Sequence, residues 1–269
     1  MQKSSVYCVW QECENDLNFL KETQFSFLKK VSISYETLRY DKTADYKVLV
    51  YCGEPDAVIN ISKEVIDRQD EFDLILTWKE DVLTNCKNSE KFLFGGPKTI
   101  KDSNLNIDKQ NQISYLTSSK NLTKGHLLRQ SIWNFLTSHD FDGNYHFLIH
   151  KSPAYIDKEL IFNNAKFSII VENSVEKNYF SEKLIDCLST KTIPIYNGCP
   201  NIEDYFDQTS FLIFNSLDEL VQIIENLKED HYECCLESIQ KNYELSKQYW
   251  DYYGRIKNTI EQKIMGNEL

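Results

Sequence analysis

Lys183 stands beside Glu182 in the stretch Tyr179-Phe180-Ser181-Glu182-Lys183, where an apolar run ending at Val171 gives way to a helical pattern. A helix N-terminus carries about +0.5 of an elementary charge, so a cation in the first turn is disfavoured there. Either Lys183 points into water, or an anion lies between it and the helix end. Arg129 poses the same problem, because it follows Thr123-Lys124-Gly125-His126 early in another predicted helix. An anion shared by both sites would meet two helix N-termini, a guanidinium fork and an ammonium point charge, a set that suits a diphosphate. A third candidate is Glu54, in the turn Gly53-Glu54-Pro55 that closes an apolar run. A carboxylate there is placed to accept a proton from a hydroxyl, and partial burial would raise its pKa towards neutrality.

These side chains need strands and helices to hold them. Strands are expected at Val6–Trp10, Tyr46–Cys52, Phe72–Trp78 and Lys91–Phe94, with a helix over Asp16–Leu28. The polar, aperiodic run Lys98–Gln112 reads as a linker. Beyond it, strands at Ile113–Leu116, Tyr145–Ile149, Phe167–Val171, Thr192–Tyr196 and Ser210–Phe214 alternate with helical patterns. The first such pattern carries Leu128, Ile132, Phe135 and Leu136 on one face. A short helix or turn is expected at Tyr155–Asn163, helices at Phe180–Leu188 and Leu217–Leu227, and helix from Glu229 onward with a break near Trp250. This alternation predicts an α/β fold with parallel sheets covered by helices. The expected organisation is two Rossmann-like domains facing a cleft, residues 1–105 and 106–248, with residues 249–269 forming a C-terminal helix able to pack back on the first. Ligands bind beyond the carboxyl ends of parallel strands, here the loops after Cys52, Leu116, Val171 and Tyr196.

Composition narrows the partners. The chain has 269 residues, 41% hydrophobic and 26% charged, with a net charge of −11. Such an acidic chain is a poor partner for duplex nucleic acid, whose affinity rests on neutralising phosphates. Glycine is scarce at 8 residues, and no G-x-G-x-x-G or P-loop pattern occurs. No apolar run reaches the length needed to span a bilayer, and the N-terminal residues read as a strand and turn rather than a signal peptide. The cysteines form no C-x-x-C pair and several lie in apolar runs, which predicts reduced thiols and a cytoplasmic setting.

The stretch Phe167–Gly198 resembles the donor-binding signature of the α-1,3-fucosyltransferases, the glycosyltransferase family 10 type with a GT-B fold. The elements that carry the resemblance are Glu172-Asn173-Ser174, then Tyr179-Phe-Ser-Glu-Lys183, then Ile193-Pro-Ile-Tyr196 and Gly198. Weaker likeness extends to Ile113–Leu136 and to Tyr51–Trp78. Ser181 replaces the usual Thr, and Asn197 stands where the family often has Trp. The resemblance implies an inverting, metal-independent enzyme that moves fucose from GDP-fucose to a hydroxyl of an oligosaccharide or glycan acceptor, with no cofactor. It implies contacts to the donor diphosphate from Arg129 and Lys183, to donor hydroxyls from Glu182, a donor-site amide in Asn173, packing near the nucleotide by Tyr179, and a general base in Glu54. The N-terminal half is too divergent to carry an acceptor over. A bacterial-type or viral enzyme working before glycan export fits this picture.

Other groupings point to plainer roles. His146 and His150 are four apart but fall in a strand-like run, so a metal pair is not expected. Asp140–Asp142 reads as a turn rather than a metal-binding Asp-x-Asp. Trp250 and the tyrosines near it read as packing for the last helix. Two alternatives stay open at this level: the same fold with another nucleotide sugar, or a nucleotide-sugar-binding protein without turnover.

Overall fold

The computed structural model describes residues 6–10, 29–96, 108–139, 145–152 and 158–266; of residues 6–10, 159–160 and 265–266 only the backbone is described. The helix expected at Asp16–Leu28, the Asp140–Asp142 turn, most of the Lys98–Gln112 linker and the start of Tyr155–Asn163 lie outside those residues. Contacts divide the chain into two units, residues 1–94 with 251–269, and residues 95–250.

The first unit holds a parallel sheet in sequential order, β1 (Val6–Trp10), β2 (Val31–Tyr35), β3 (Tyr46–Tyr51), β4 (Leu74–Thr77) and β5 (Ser89–Lys91). Helices α1 (Ser62–Asp67) and α2 (Glu80–Asn85) connect the later strands. Strand β2 was not expected from sequence, yet Val-Ser-Ile-Ser-Tyr alternates branched or aromatic residues with serines, and all five are buried. The two serines explain how polar residues sit inside a sheet: Ser34 Oγ donates to Arg39 O at 2.6 Å, and Ser32 Oγ accepts from Asp41 N–H at 3.0 Å. The β5 strand begins two residues before the expected Lys91–Phe94 run. Phe92 lies just past it, buried, with the Arg255 guanidinium over its ring.

The second unit is also a parallel sheet, built from β6 (Gln110–Thr117), β7 (His146–Lys151), β8 (Ala165–Val171), β9 (Ile193–Asn197) and β10 (Leu212–Ile213). Its helices are α3 (Lys124–Ser138), α4 (Glu159–Phe162), α5 (Glu182–Ser189), α6 (Leu217–Glu225), α7 (His231–Cys234) and α8 (Leu236–Ser246); α9 (Tyr252–Gly266) returns to the first unit. Strand order is β10-β9-β8-β6-β7. The chain therefore leaves β6 towards β7 on one side, then crosses over to β8 on the other. That reversal is a topological switch point, and crevices at the carboxyl ends of such strand pairs are where open α/β sheets take ligands.

Burial follows the strand chemistry. β8 is a continuous run of buried residues, as a central parallel strand with both faces covered must be. Its Phe167, Ile169 and Val171 pack with Ile113, Tyr115, Ile132, Ile193 and Ile195 into one core, where each large side chain contributes about 1.5–3 kcal/mol. β7 is one of the two edge strands, and His146 and His150 are exposed on it. Four residues of strand separate them by about 13 Å, too far to share one metal ion.

Helix α9 is tied to the first unit by named contacts. Arg255 donates to the carbonyls of Leu93 at 3.0 Å and Phe94 at 2.6 Å, and Tyr252 Oη bonds Tyr35 Oη at 3.0 Å. Trp250, by contrast, stacks edge-on with Tyr243 and bonds Ser246 Oγ at 3.2 Å within the second unit. Cys52, Cys86, Cys187, Cys199 and Cys235 are buried free thiols, and Cys234 is an exposed one. Among the described residues no helix is long and apolar enough to cross a membrane.

Candidate functional site

Helix α5 begins at Glu182, two residues later than the expected Phe180, with Ser181 as N-cap and Lys183 in the first turn. The hydroxyl of Ser181 accepts from the Lys183 backbone N–H at 3.4 Å and from Lys183 Nζ at 3.1 Å. It donates in turn to Glu172 Oε2 at 2.6 Å, while Ser181 N–H donates to Glu172 Oε1 at 2.9 Å. Glu172 is fully buried at the end of β8, so its carboxylate sits against the positive end of α5. This resolves the puzzle of the misplaced lysine: the anion between Lys183 and the helix end belongs to the protein itself. Lys183 Nζ lies 3.7 Å from Glu172 Oε2 and 3.5 Å from Glu182 Oε1. Both separations exceed hydrogen-bond length, so the ammonium, with its three donors, keeps capacity for a stronger acceptor.

Arg129 is placed differently from expectation. Helix α3 starts at Lys124 behind the N-cap Thr123, so Arg129 falls in the second turn, beyond the reach of the helix-end charge. The end of α3 is itself occupied: Gly125 N–H points at Asn173 O, 3.3 Å away. The guanidinium instead crosses to the end of β8, donating to Val171 O at 3.1 Å and to Asn173 Oδ1 at 2.7 Å. Only 6% of Arg129 is exposed. Burial lowers its proton affinity from the usual value, and the charge of Glu172 works against that.

Arg129, Glu182 and Lys183 line one cavity of about 230 Å³, together with Lys158, Thr117 and Ser152. Its walls are the carboxyl ends of β6, β7 and β8, so it lies at the switch point. Lys158 is a third cation there that sequence reading missed. It is bonded to the fully buried Asp186 of α5 at 2.6 Å. Nothing in its local sequence marks it; only the fold brings it to the cavity. Burial works to raise the Glu182 carboxyl, but the Lys183 and Lys158 cations outweigh it and hold the group down at about 2. Glu182 is therefore an ionised acceptor at neutral pH. His126, whose Nδ1 lies 2.7 Å from Thr123 Oγ1, is pushed down to about 4 by burial and by the Arg129, Lys120 and Lys183 charges. It stays neutral at pH 7 and adds no charge.

Tyr179 is 1% exposed, buried in the loop that leads into α5. Asn197 holds the end of β9 to its neighbour through Phe214 O at 2.9 Å. Close backbone approach fixes the loop after β8. A methyl group on Gly125 would lie 1.9 Å from Glu172 O, and one on Gly198 would lie 2.6 Å from Glu172 Cγ. Since the 1.9 Å contact is with backbone, α3 must shift to relieve it. Gly125→Ala is expected to destabilise the protein by about 1–3 kcal/mol in urea unfolding, the range for overpacked sites; wild-type stability would show that this approach is not needed.

Glu54 lies in the first unit, partly exposed, three residues past the end of β3. Its loop is strapped on either side. Trp78 Nε1 donates to Cys52 O at 2.8 Å, Gly53 N–H donates to Glu36 Oε1 at 2.6 Å, and Lys79 pairs with Asp56. Pro55 O accepts from Val58 and Ile59 N–H at 2.9 and 3.0 Å. Among the described residues no group of three His, Cys, Asp or Glu side chains could hold a metal ion.

Known proteins resemble the chain in one segment of sequence and in fold. Residues 145–236 match the family model described as glycosyltransferase family 10 (fucosyltransferase), C-terminal part. Among curated proteins, an alpha-(1,3)-fucosyltransferase FucT of Helicobacter pylori is 32% identical over 89 residues, covering 32% of this chain and 18% of that protein. An alpha-(1,4)-fucosyltransferase of Arabidopsis thaliana is 32% identical over 68 residues, covering 24% of this chain and 17% of that one. The matched part of the chain thus spans less than a fifth of these relatives. Among solved structures, an alpha1,3-fucosyltransferase crystallised with GDP-fucose superposes with a TM-score of 0.54 at 16% identity, covering 95% of this chain and 90% of that one. The fucosyltransferase resemblance read from the signature is borne out, and the α/β architecture of two parallel sheets is the GT-B one.

Proposed function

We propose that the protein is an inverting, metal-independent glycosyltransferase that moves fucose from GDP-fucose to a hydroxyl of a glycan acceptor. The observation that carries this reading is the gathering of Arg129, Lys158 and Lys183 around one cavity at the switch point of the second sheet. In an acidic chain, three cations there form a site for a polyanion. The family match, which covers Lys158 and Lys183 though not Arg129, and the donor named in the superposed crystal structure, favour a nucleotide diphosphate sugar.

Arg129 and Lys183 bind the diphosphate. Asn173 orients the guanidinium, Tyr179 packs the loop behind the nucleotide, and ionised Glu182 accepts hydrogen bonds from donor hydroxyls. The chemistry then follows from charge. The acceptor oxygen attacks the anomeric carbon and its proton passes to Glu54. The bond from that carbon to the β-phosphate oxygen breaks, and GDP leaves with the electron pair. Attack opposite the leaving group converts a β-linked donor sugar to an α-linked product. Negative charge grows on GDP in the transition state, and preorganised cations aimed at that charge are the largest catalytic lever available. Arg129, Lys158 and Lys183 supply it from the chain itself, which makes a divalent metal unnecessary.

A panel of nucleotide sugars, assayed with and without chelator, tests the reading. GDP-fucose should be turned over with retention of activity in EDTA, and GDP should bind more tightly than UDP. Tighter UDP binding would point to another donor, and loss of turnover on chelation would contradict the metal-independent mechanism.

A further inference from the structure

Glu36, at the carboxyl end of β2, has features that a merely structural glutamate lacks. It is 4% exposed, and it adopts a left-handed backbone conformation with φ of 52°. That conformation is uncommon outside glycine and costs of order 1–3 kcal/mol, which is tolerated where function needs it. One oxygen, Oε1, accepts from Gly53 N–H at 2.6 Å. The other, Oε2, is buried and has no hydrogen-bond partner among the described residues. Glu36 also lines an open cavity of about 610 Å³ with Arg39, Arg68, Val58 and Asn60.

The peptide that Glu36 grips is the one leading into Glu54. Gly53 has no room to move, because a methyl group on it would sit 2.3 Å from Tyr35 Oη. Accepting the reading of Glu54 as the base, we propose that Glu36 is its positioning residue: it anchors the Gly53–Glu54 peptide through Oε1 and, when ionised, places a second negative charge beside Glu54.

The groups around Glu36 support this division of labour. Burial raises its carboxyl to about 7; the Gly53 N–H bond and the Lys79 charge oppose that rise, and the Glu54 charge adds to it. Lys79 is already engaged by Asp56 and by the faces of Tyr51 and Trp78. Cys52 and Tyr35, the other titratable neighbours, are pushed up by burial and stay neutral. Arg68 on the cavity wall is paired with Glu71 at 2.6 Å, and Arg39 on the same wall is exposed. The Glu54 charge raises the proton affinity of Glu36, and the Coulomb interaction between the two carboxylates is reciprocal.

The test is a carboxyl-carbon NMR titration of glutamate-labelled protein, with kcat/KM followed over the same pH range. Glu36→Gln keeps the acceptor for Gly53 N–H and removes the charge. In it, Glu54 should titrate at lower pH by about half a unit or more, and the acidic limb of kcat/KM should move with it. Glu36→Ala, which also frees the loop, should lower kcat about tenfold or more while leaving GDP affinity unchanged. The stability sign follows from the raised value. The Glu36 contribution is full below its ordinary 4.5 and is lost as pH rises through about 7. The difference between wild type and Glu36→Gln in unfolding free energy should therefore change across that window. An unshifted Glu54 titration in a folded Glu36→Gln protein overturns the proposal. Transfer that survives in Glu54→Ala overturns the base assignment instead, and the NMR titration still decides the coupling between the two carboxyls.

Discussion

Glu54→Ala is expected to lower kcat/KM for transfer by about 10²–10⁴-fold at pH 7, the range a positioned general base contributes. GDP affinity should be unchanged, because the cations that line the diphosphate cavity all belong to the other unit of the chain. The variant should fold normally. Glu54 is partly exposed, and Trp78, Glu36, Lys79 and the Pro55 carbonyl bond to the backbone and side chains of its loop. The measurements are single-turnover transfer and GDP titration on the same preparation. Near-normal turnover would remove Glu54 from the chemistry. Loss of GDP binding together with turnover would show a folding defect instead.

Lys183→Ala is expected to weaken GDP binding by about 10- to 100-fold, the loss of one charge-assisted hydrogen bond in a partly dry site. GMP binding should fall much less, since the proposed contact is with the diphosphate. The fold should survive, because Glu172 keeps its two bonds to Ser181 at 2.9 and 2.6 Å. Arg129 needs a gentler test. It bridges Val171 O and Asn173 Oδ1, so truncation to alanine would orphan two acceptors near the core. Arg129→Lys keeps the charge and removes the fork. It too should weaken GDP about tenfold or more, because the single nitrogen of lysine cannot span the positions that the two terminal guanidinium nitrogens reach on Val171 O and Asn173 Oδ1 and also meet a phosphate oxygen. Equal GDP affinity in Arg129→Lys and wild type would contradict a bidentate role.

Sequence periodicity and the signature residues made the second unit legible. Its strands are apolar runs broken by polar loops, and the carboxyl-end rule directs attention to the loops after Leu116 and Val171. Lys183 was correctly set in the first turn of α5. What escaped were features that only tertiary packing creates. Arg129, expected in an early turn near the positive end of its helix, lies in the second turn, because the helix already starts at Lys124 behind the Thr123 cap. The anion facing Lys183 turned out to be Glu172, which lies eleven positions away in sequence and is brought back by the turn between β8 and α5. Lys158 has an unremarkable local context and reaches the cavity only through its pairing with Asp186. Strand β2 carried its signal in alternating Val31, Ile33 and Tyr35, yet the intervening serines masked it, since their partners come from the loop that follows. Glu36 inherits that omission: its burial, backbone conformation and unpaired oxygen all depend on β2 being a strand.

Arg129 and Lys183 are proposed to grip the diphosphate of an activated sugar at the switch point between β6 and β8. A crystal structure of the GDP complex tests this most directly. The account predicts phosphate oxygens at about 2.7–3.1 Å from both the Arg129 guanidinium and Lys183 Nζ, with the nucleotide beyond the carboxyl ends of those strands. A diphosphate bound elsewhere, with Arg129 still turned to Val171 and Asn173 and Lys183 to Ser181, Glu172 and Glu182, would contradict it.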